Sequence, residues 1–340
     1  MNELIFLPFE DEHLTQAAEL LAARHRRDRQ ACPLLPARFE QPDDARRAVQ
    51  AAWRKSWTGG VAAFDGKRMV GYLFADAQFD QLMGRTAWVR IAGHALAQDE
   101  DAGLYQHLYA AAAPTWLELG CFNHYVQVMA GDTQGLQAWF ATSFGLQQAH
   151  GLRQILPSDA NPQNTLPGIE IRRARPEDRQ AFSEMAFCTA EYQVQPPVWA
   201  PLPPEISAER PIMYASVLDD EDATLWLAMK DDRVAGFQVY YPAENNPEDL
   251  YIPEHTAEMP AASTRLEFRG QGVTRALAQY GFDFLRQEGF NCCLTDWRTT
   301  NLLSSRAWPG LGYQPVMYRL HRRVDERILW AKGLGGTWLR

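Results

Sequence analysis

Apolar and polar positions follow two periods along this chain, and the changes of period mark its elements. Leu4 to Pro8 reads as a short strand, and Asp11 caps a helix to about Ala23. Asp43 and Asp44 open a second helix, to about Trp57. Val61 to Phe64 and Met69 to Phe74 flank Asp65-Gly66, a residue pair that favours a tight hairpin turn. Ala87 to Ile91 is a strand, Gly103 to Leu119 a helix closed by Gly120, and Phe122 to Met129 a strand. Asp132 caps a helix to about Ser143, and Gly145 leads into a last strand through Ile155.

Pro157, Pro162 and Pro167 then interrupt the pattern, and residues 156–167 read as a linker. After it the same order restarts. Ile169 to Arg173 is a strand, Pro176-Glu177-Asp178 opens a helix, and a proline-rich segment, Pro196 to Pro211, precedes a second helix. Thr224 to Met229 and Val234 to Tyr241 flank Asp231-Asp232 as a hairpin. An acidic loop with Glu244, Glu248, Asp249 and Glu254 leads to a strand over Thr256 to Thr264. Val273, Leu277, Tyr280 and Phe284 mark one face of a helix ending near Gly289. Cys292 to Trp297 is a strand, Asn301 starts a short helix, and Tyr313 to Arg322 closes the second sheet.

The two halves align as a duplication. Glu10-Asp11 recurs as Glu177-Asp178, a spacing of 167 (178 − 11), and Gly145 recurs as Gly312, again 167 (312 − 145). Val70-Gly71-Tyr72 recurs as Ala235-Gly236-Phe237, a spacing of 165 (236 − 71). The expected organisation is a first domain over 1–155, the linker 156–167, a second domain over 168–325 and a tail over 326–340. That tail holds Leu329, Trp330, Leu334, Trp338 and Leu339, and packs either on the first half or on another subunit, as in a homodimer.

With 340 residues, 46% of them hydrophobic, the chain can bury two ordinary cores. A formal net charge of −9 argues against nucleic acid and against a basic membrane surface. It is compatible with a site for amines, and equally with plain solubility. The five cysteines include no CxxC spacing, so neither a disulfide framework nor a zinc site is expected. No basic, apolar leader opens the chain and no run of eighteen apolar residues occurs, which reads as cytoplasmic.

One stretch carries candidate chemistry. Arg269-Gly270-Gln271-Gly272-Val273-Thr274 feeds a helix start, where unpaired amides and the helix dipole suit an anion. It is not a Walker loop, since no Gly-Lys-Ser/Thr follows, and the third glycine of a dinucleotide fingerprint is replaced by Ala276. The aligned stretch of the first half is Glu100-Asp101-Ala102-Gly103-Leu104-Tyr105. At ~4 Å like charges near a surface cost several kcal/mol, so two carboxylates there would repel a phosphate.

With Arg269-x-x-Gly272-x-Thr274 after its fourth strand, each half ordered strand, helix, helix, three strands, helix, strand, helix, strand, the chain resembles the GNAT N-acetyltransferase superfamily. Asn301 to Tyr313 also resembles the family's later Asn…Tyr…Gly segment. The architecture is similar to tandem members with one decayed half, of the mycothiol-synthase kind. The resemblance implies an α+β fold of two tandem GNAT-like domains, each a mixed, mainly antiparallel sheet flanked by helices. It implies acetyl-CoA as co-substrate, no metal, and direct attack of an amine on the thioester in the C-terminal domain. Backbone amides of Ala262, Ser263 and Thr264 would polarise the carbonyl. Arg269, Gly270, Gln271, Gly272, Val273 and Thr274 would line the pyrophosphate, and Asn301 would either reach the cofactor or cap its helix.

Glu258 is the first candidate base, against a solvent-facing or ion-paired carboxylate. Asp296 is a base, a ligand for the substrate ammonium, or a loop cap. Tyr313 is a candidate acid, against a core aromatic. Two departures from the family stand out: Thr274 replaces Gly or Ala, and Trp308 stands where a tyrosine often protonates the leaving thiolate. The acceptor is expected to be a small-molecule or peptide amine; a CoA-binding or interaction module without turnover is the competing reading.

Overall fold

The computed structural model describes residues 4–163 and 166–331, so Leu334, Trp338 and Leu339 of the expected tail lie outside the described residues. In chain order the first half runs β1 (Ile5–Pro8), α1 (Leu14–Ala31), α2 (Pro42–Trp53), β2 (Gly59–Asp65), β3 (Arg68–Asp80), β4 (Gly84–Val89), β5 (His94–Leu96), α3 (Leu104–Glu118), β6 (Asn123–Met129), α4 (Thr133–Ala141) and β7 (Gly145–Gln154). The second runs β8 (Glu170–Arg173), α5 (Arg179–Ser183), α6 (Cys188–Gln193), α7 (Pro204–Ser216), β9 (Thr224–Lys230), β10 (Arg233–Pro242), β11 (Thr256–Thr264), α8 (Val273–Gln287), β12 (Cys292–Arg298), α9 (Ser304–Gly310) and β13 (Gln314–Arg323).

Most elements sit within a few residues of expectation, and the larger departures have local causes. Helix α1 runs on to Ala31 because Arg24, His25 and Asp28 are buried polar residues that blur the apolar period. Helix α7 begins inside the proline-rich segment: Pro204 occupies its first position, where a proline lacks only an amide that would be unpaired anyway. No helix among the described residues is long and apolar enough to cross a membrane.

The chain forms two compact units, whose borders differ from the expected ones at 155 and 168 because each takes in strands from both halves. Unit 1 comprises the described parts of Met1–Gln147, Asn246–Tyr251 and Met317–Arg340; unit 2 comprises Gln148–Asn245 and Ile252–Val316. The sheet of unit 1 is ordered β1-β2-β3-β4-β6-β13, with β5 beside β3, and only β4–β6 is parallel. The sheet of unit 2 is ordered β8-β9-β10-β11-β12-β7, and only β11–β12 is parallel. Each half therefore gives its last strand away. Residues 317–323 of β13 pair with β6, and residues 148–154 of β7 pair with β12. Alternation fixes which face of a strand is buried, but it is silent on which of two similar edges the strand will join.

In unit 1 the region matching the glycine-rich turn is closed. Gly103 has an ordinary helical φ of −57°, and its amide donates to the Asp101 carboxylate at 2.7 Å. Tyr105, which aligns with Thr274, is buried, stacks on Trp139 at 5.5 Å and shares a hydrogen bond with His94 Nδ1 at 3.1 Å. The expected acidic loop is also tied down: Glu248 pairs with Lys55 at 2.5 Å, and Leu250 and Tyr251 are buried.

Two expectations follow. A fragment cut at the sequence-drawn border, residues 1–155, lacks β13, so the edge of β6 is bare and Met317 and Leu320, both buried, are lost. At about 1.5–3 kcal/mol per buried apolar side chain, the fragment should lose most of its cooperative unfolding signal in urea. Burial also pushes His94 down to about 3, and His25 and His124 to about 4. From pH ~6.5 downward the unfolded chain takes up protons that these folded-state histidines refuse, so stability present above that pH is lost as it falls. Buried Asp28, raised to about 6, opposes with one proton. Stability of unit 1 should fall by about 2 kcal/mol per pH unit between roughly pH 6 and 4, measured as urea midpoints.

Candidate functional site

Strand β11 creates an opening in the sheet of unit 2. Thr256 to Met259 pair in parallel with Cys292 to Thr295 of β12, and there the ladder stops. The next residue is Pro260, which has no N–H to donate. Across the strand, the pairing with β10 shifts register at this level and then continues from Ala261↔Val239 to Thr264↔Gly236. Beyond Met259 the far edge of β11 thus has no β12 partner. A cleft of about 370 Å³ opens beside it, bounded by Ala262, Ser263 and Thr264, by α6, by α9 and by the turn before α8.

In that turn Gly270 and Gly272 have φ of 75° and 88°, the left-handed region that glycine enters freely. A Cβ built at Gly270 meets nothing within 4 Å. Gly272 caps α8 without any side-chain bond, and the first bond entering the helix runs from the Ala276 amide to Gly272 O at 3.0 Å. The amides of Val273, Thr274 and Arg275 therefore have no acceptor inside the helix.

Charge in the cleft is one-sided. Its lining includes Arg269, Arg275 and Arg306 and no carboxylate, in a chain of formal net charge −9. Arg269 Nε donates to Thr264 O at 3.1 Å, and its guanidinium lies 5.3 Å from the centre of the Tyr192 ring. Arg275 and Arg306 have no side-chain partner among the described residues. The extra bulk of Thr274 is anchored to the β11 wall: its hydroxyl lies 3.0 Å from that of Thr264. Its carbonyl accepts from Gln238 Nε2 at 3.1 Å, and the buried Tyr240 hydroxyl donates to Gln238 Oε1 at 2.6 Å.

Most of the residues singled out in the sequence converge here. Ala262, Ser263, Thr264, Arg269, Gly270, Gly272, Val273, Thr274 and Asn301 all line the cleft. Gln271 does not; its side chain donates to Glu267 O at 2.7 Å. Asn301 is a helix cap as well, its Oδ1 accepting from the amides of Leu303 and Ser304 at 3.1 Å each. Glu258 and Asp296 sit off the lining, half-buried on one face of the sheet, since Glu258 registers with Leu294 and Asp296 lies two residues further along. By strand rise Glu258 is ~13 Å before Ala262. Asp296, one step past the Met259↔Thr295 pair, is level with Pro260 and ~7 Å short of it.

Of the two readings of Tyr313, the structure has the core aromatic. It is 1% exposed, lies outside the cleft, and donates its hydroxyl to Cys293 Sγ at 3.1 Å. Burial holds its phenol well above the ordinary range and pushes the Cys293 thiol up to about 12. Sequence reasoning missed Arg275, Arg306, Tyr192 and Cys188, which also line the cleft. Arg275 was within reach, one residue past the Arg269–Thr274 stretch; the others stand on short helices that only the fold brings round. Among the described residues no group of three or more His, Cys, Asp or Glu is placed to hold a metal ion.

Residues 186–312 match the Acetyltransferase (GNAT) family. A search of curated proteins finds no match by sequence. Among solved structures the chain is similar to a GCN5-related N-acetyltransferase from Sphaerobacter thermophilus, at 15% identity and a TM-score of 0.57, with 96% of this chain and 98% of that one covered. It is also similar to a tandem GNAT protein from the clavulanic acid biosynthesis pathway, at 17% identity and a TM-score of 0.50, covering 94% and 98%. A third is the glucosamine N-acetyltransferase region of a fungal multi-domain β-N-acetylglucosaminidase, at 18% identity and a TM-score of 0.56, covering 94% of this chain and 38% of that one. These likenesses are of fold. The matched segment, residues 186–312, spans the β11–α8 cleft, and over the rest of the chain the likeness to GNAT proteins, one of them a tandem protein, is one of fold.

Proposed function

We propose that unit 2 moves an acetyl group from acetyl-CoA to an amine by direct attack, while unit 1 serves as a structural partner. The observation that carries this reading is the one-sided cleft: three arginines, no carboxylate and a run of uncapped amides in an acidic chain. A diphosphate accepts hydrogen bonds from such amides, and Arg275 and Arg306 offer forked donors to its oxygens. Acetyl-CoA brings the activated thioester. The free edge of β11 at Ala262 to Thr264 supplies backbone N–H groups for the carbonyl oxygen, where negative charge grows as the amine adds. The register favours Asp296 over Glu258 as the group that accepts the amine proton, since it stands closer to Ala262 and needs a shorter water bridge.

Trp308 lines the cleft and offers only an indole N–H, which is no acid at neutral pH. That favours a second reading, a protein that holds CoA without turning it over. Thiol release from acetyl-CoA with a panel of amines separates the two: tight CoA binding with no release supports the second.

Gly272→Val should cut CoA affinity at least tenfold by calorimetry, because a β-branched residue is strained at a φ of 88° and crowds the amides behind it. Unaltered affinity would move the anion site elsewhere. For turnover, Asp296→Asn should lower kcat by about 10²-fold, and Glu258→Gln by less than tenfold. Tyr313→Phe should leave kcat within about twofold and cost about 1 kcal/mol of stability, the usual size of one buried hydrogen bond.

A further inference from the structure

Unit 1 contains a hollow of about 500 Å³, outside everything described above, where the segment after α2 meets the ends of β3, β4 and α3. Cys121 is buried in its lining, and burial raises the thiol, which keeps it neutral. Trp57 and Phe79 also line it with most of their surface in water, 74% and 77% exposed. Neither ring meets another aromatic ring or a cation among the described residues, so both π-faces are available. Two large apolar side chains held outward at one hollow are unlike the scattered single exposures normal for a surface.

Trp57 also has a φ of 56°, in the left-handed region that bulky residues avoid. An Asn, Asp or Gly would hold that turn with less strain. Strain kept in a bulky residue at a cavity rim is a signature of binding sites. Arg85 supplies the one charge in the lining, which has no carboxylate. Its Nη1 donates to Leu119 O at 2.9 Å, and its remaining donors have no acceptor among the described residues. Gln78 is bonded through Nε2 to Asp76 at 2.7 Å, which leaves its carbonyl oxygen as an acceptor. The volume is that of a small-ligand site.

We propose that this hollow is a second small-molecule site, and that it takes a compact aromatic carboxylate. The flat ring would lie against Trp57 and Phe79 and the carboxylate on the Arg85 fork. The inference is independent of acetyl transfer.

The test uses the full chain and 2-naphthoate as probe, with 2-naphthamide as its uncharged twin, followed by calorimetry and Trp57 fluorescence. Wild type should bind naphthoate saturably and at least tenfold tighter than the amide. Trp57→Asn should lose at least tenfold of that affinity with no fall in thermal midpoint, since asparagine relieves the left-handed strain. Arg85→Gln should remove most of the preference for the anion while keeping the amide's affinity. Equal binding of the two probes, or naphthoate binding untouched by Trp57→Asn, overturns the proposal; so does the absence of saturable binding in wild type.

Discussion

Everything at the candidate site depends on one hydrogen-bond ladder that ends early. Strand β11 pairs with β12 for four residues and stops at Pro260, while on its other side it stays bonded to β10. A sheet that continued would bury the backbone of Ala262 to Thr264 in strand pairing. Because it does not, those groups face a cleft, and α8 starts at the same level with its own amides unspent. The cleft is thus walled by main chain, which a sequence can change in side chains without losing. Specificity then falls to what surrounds it: three arginines, Thr274 pinned to Thr264, and Trp308.

The two units differ at the corresponding place. Unit 1 keeps the parallel pair β4–β6 and the helix α3 that follows. There Gly103 is not left-handed, the Asp101 carboxylate takes the Gly103 amide, and Tyr105 packs against Trp139. Where unit 2 has an opening, unit 1 has core. The buried His94, hydrogen-bonded to Tyr105 and to Gln127 O, belongs to the same core.

Much of this was legible in the sequence because it is local. Hairpins at Asp65-Gly66 and Asp231-Asp232, the Asp132 cap and the turn at Gly272 are set by a few neighbouring residues, and the acidic replacement at residues 100–101 announced the closed site. Three things were not legible. Tyr313 is removed from the cleft by packing on Cys293, a contact across 20 residues of chain. Arg306 and Tyr192 reach the cleft from helices of seven and six residues, too short to show a period. And the partners of β7 and β13 depend on which sheet edge is available, which no alternation records.

That last feature sets the order of events on the ribosome. Strand β6 ends at Met129, but its neighbour in the finished sheet ends at Arg323, 194 residues later (323 − 129). At about 5–20 residues per second of synthesis, the amino-terminal sheet waits about 10–40 s with one flank unzipped. The first sheet is closed by the last strand of the second half, and the second sheet by the last strand of the first.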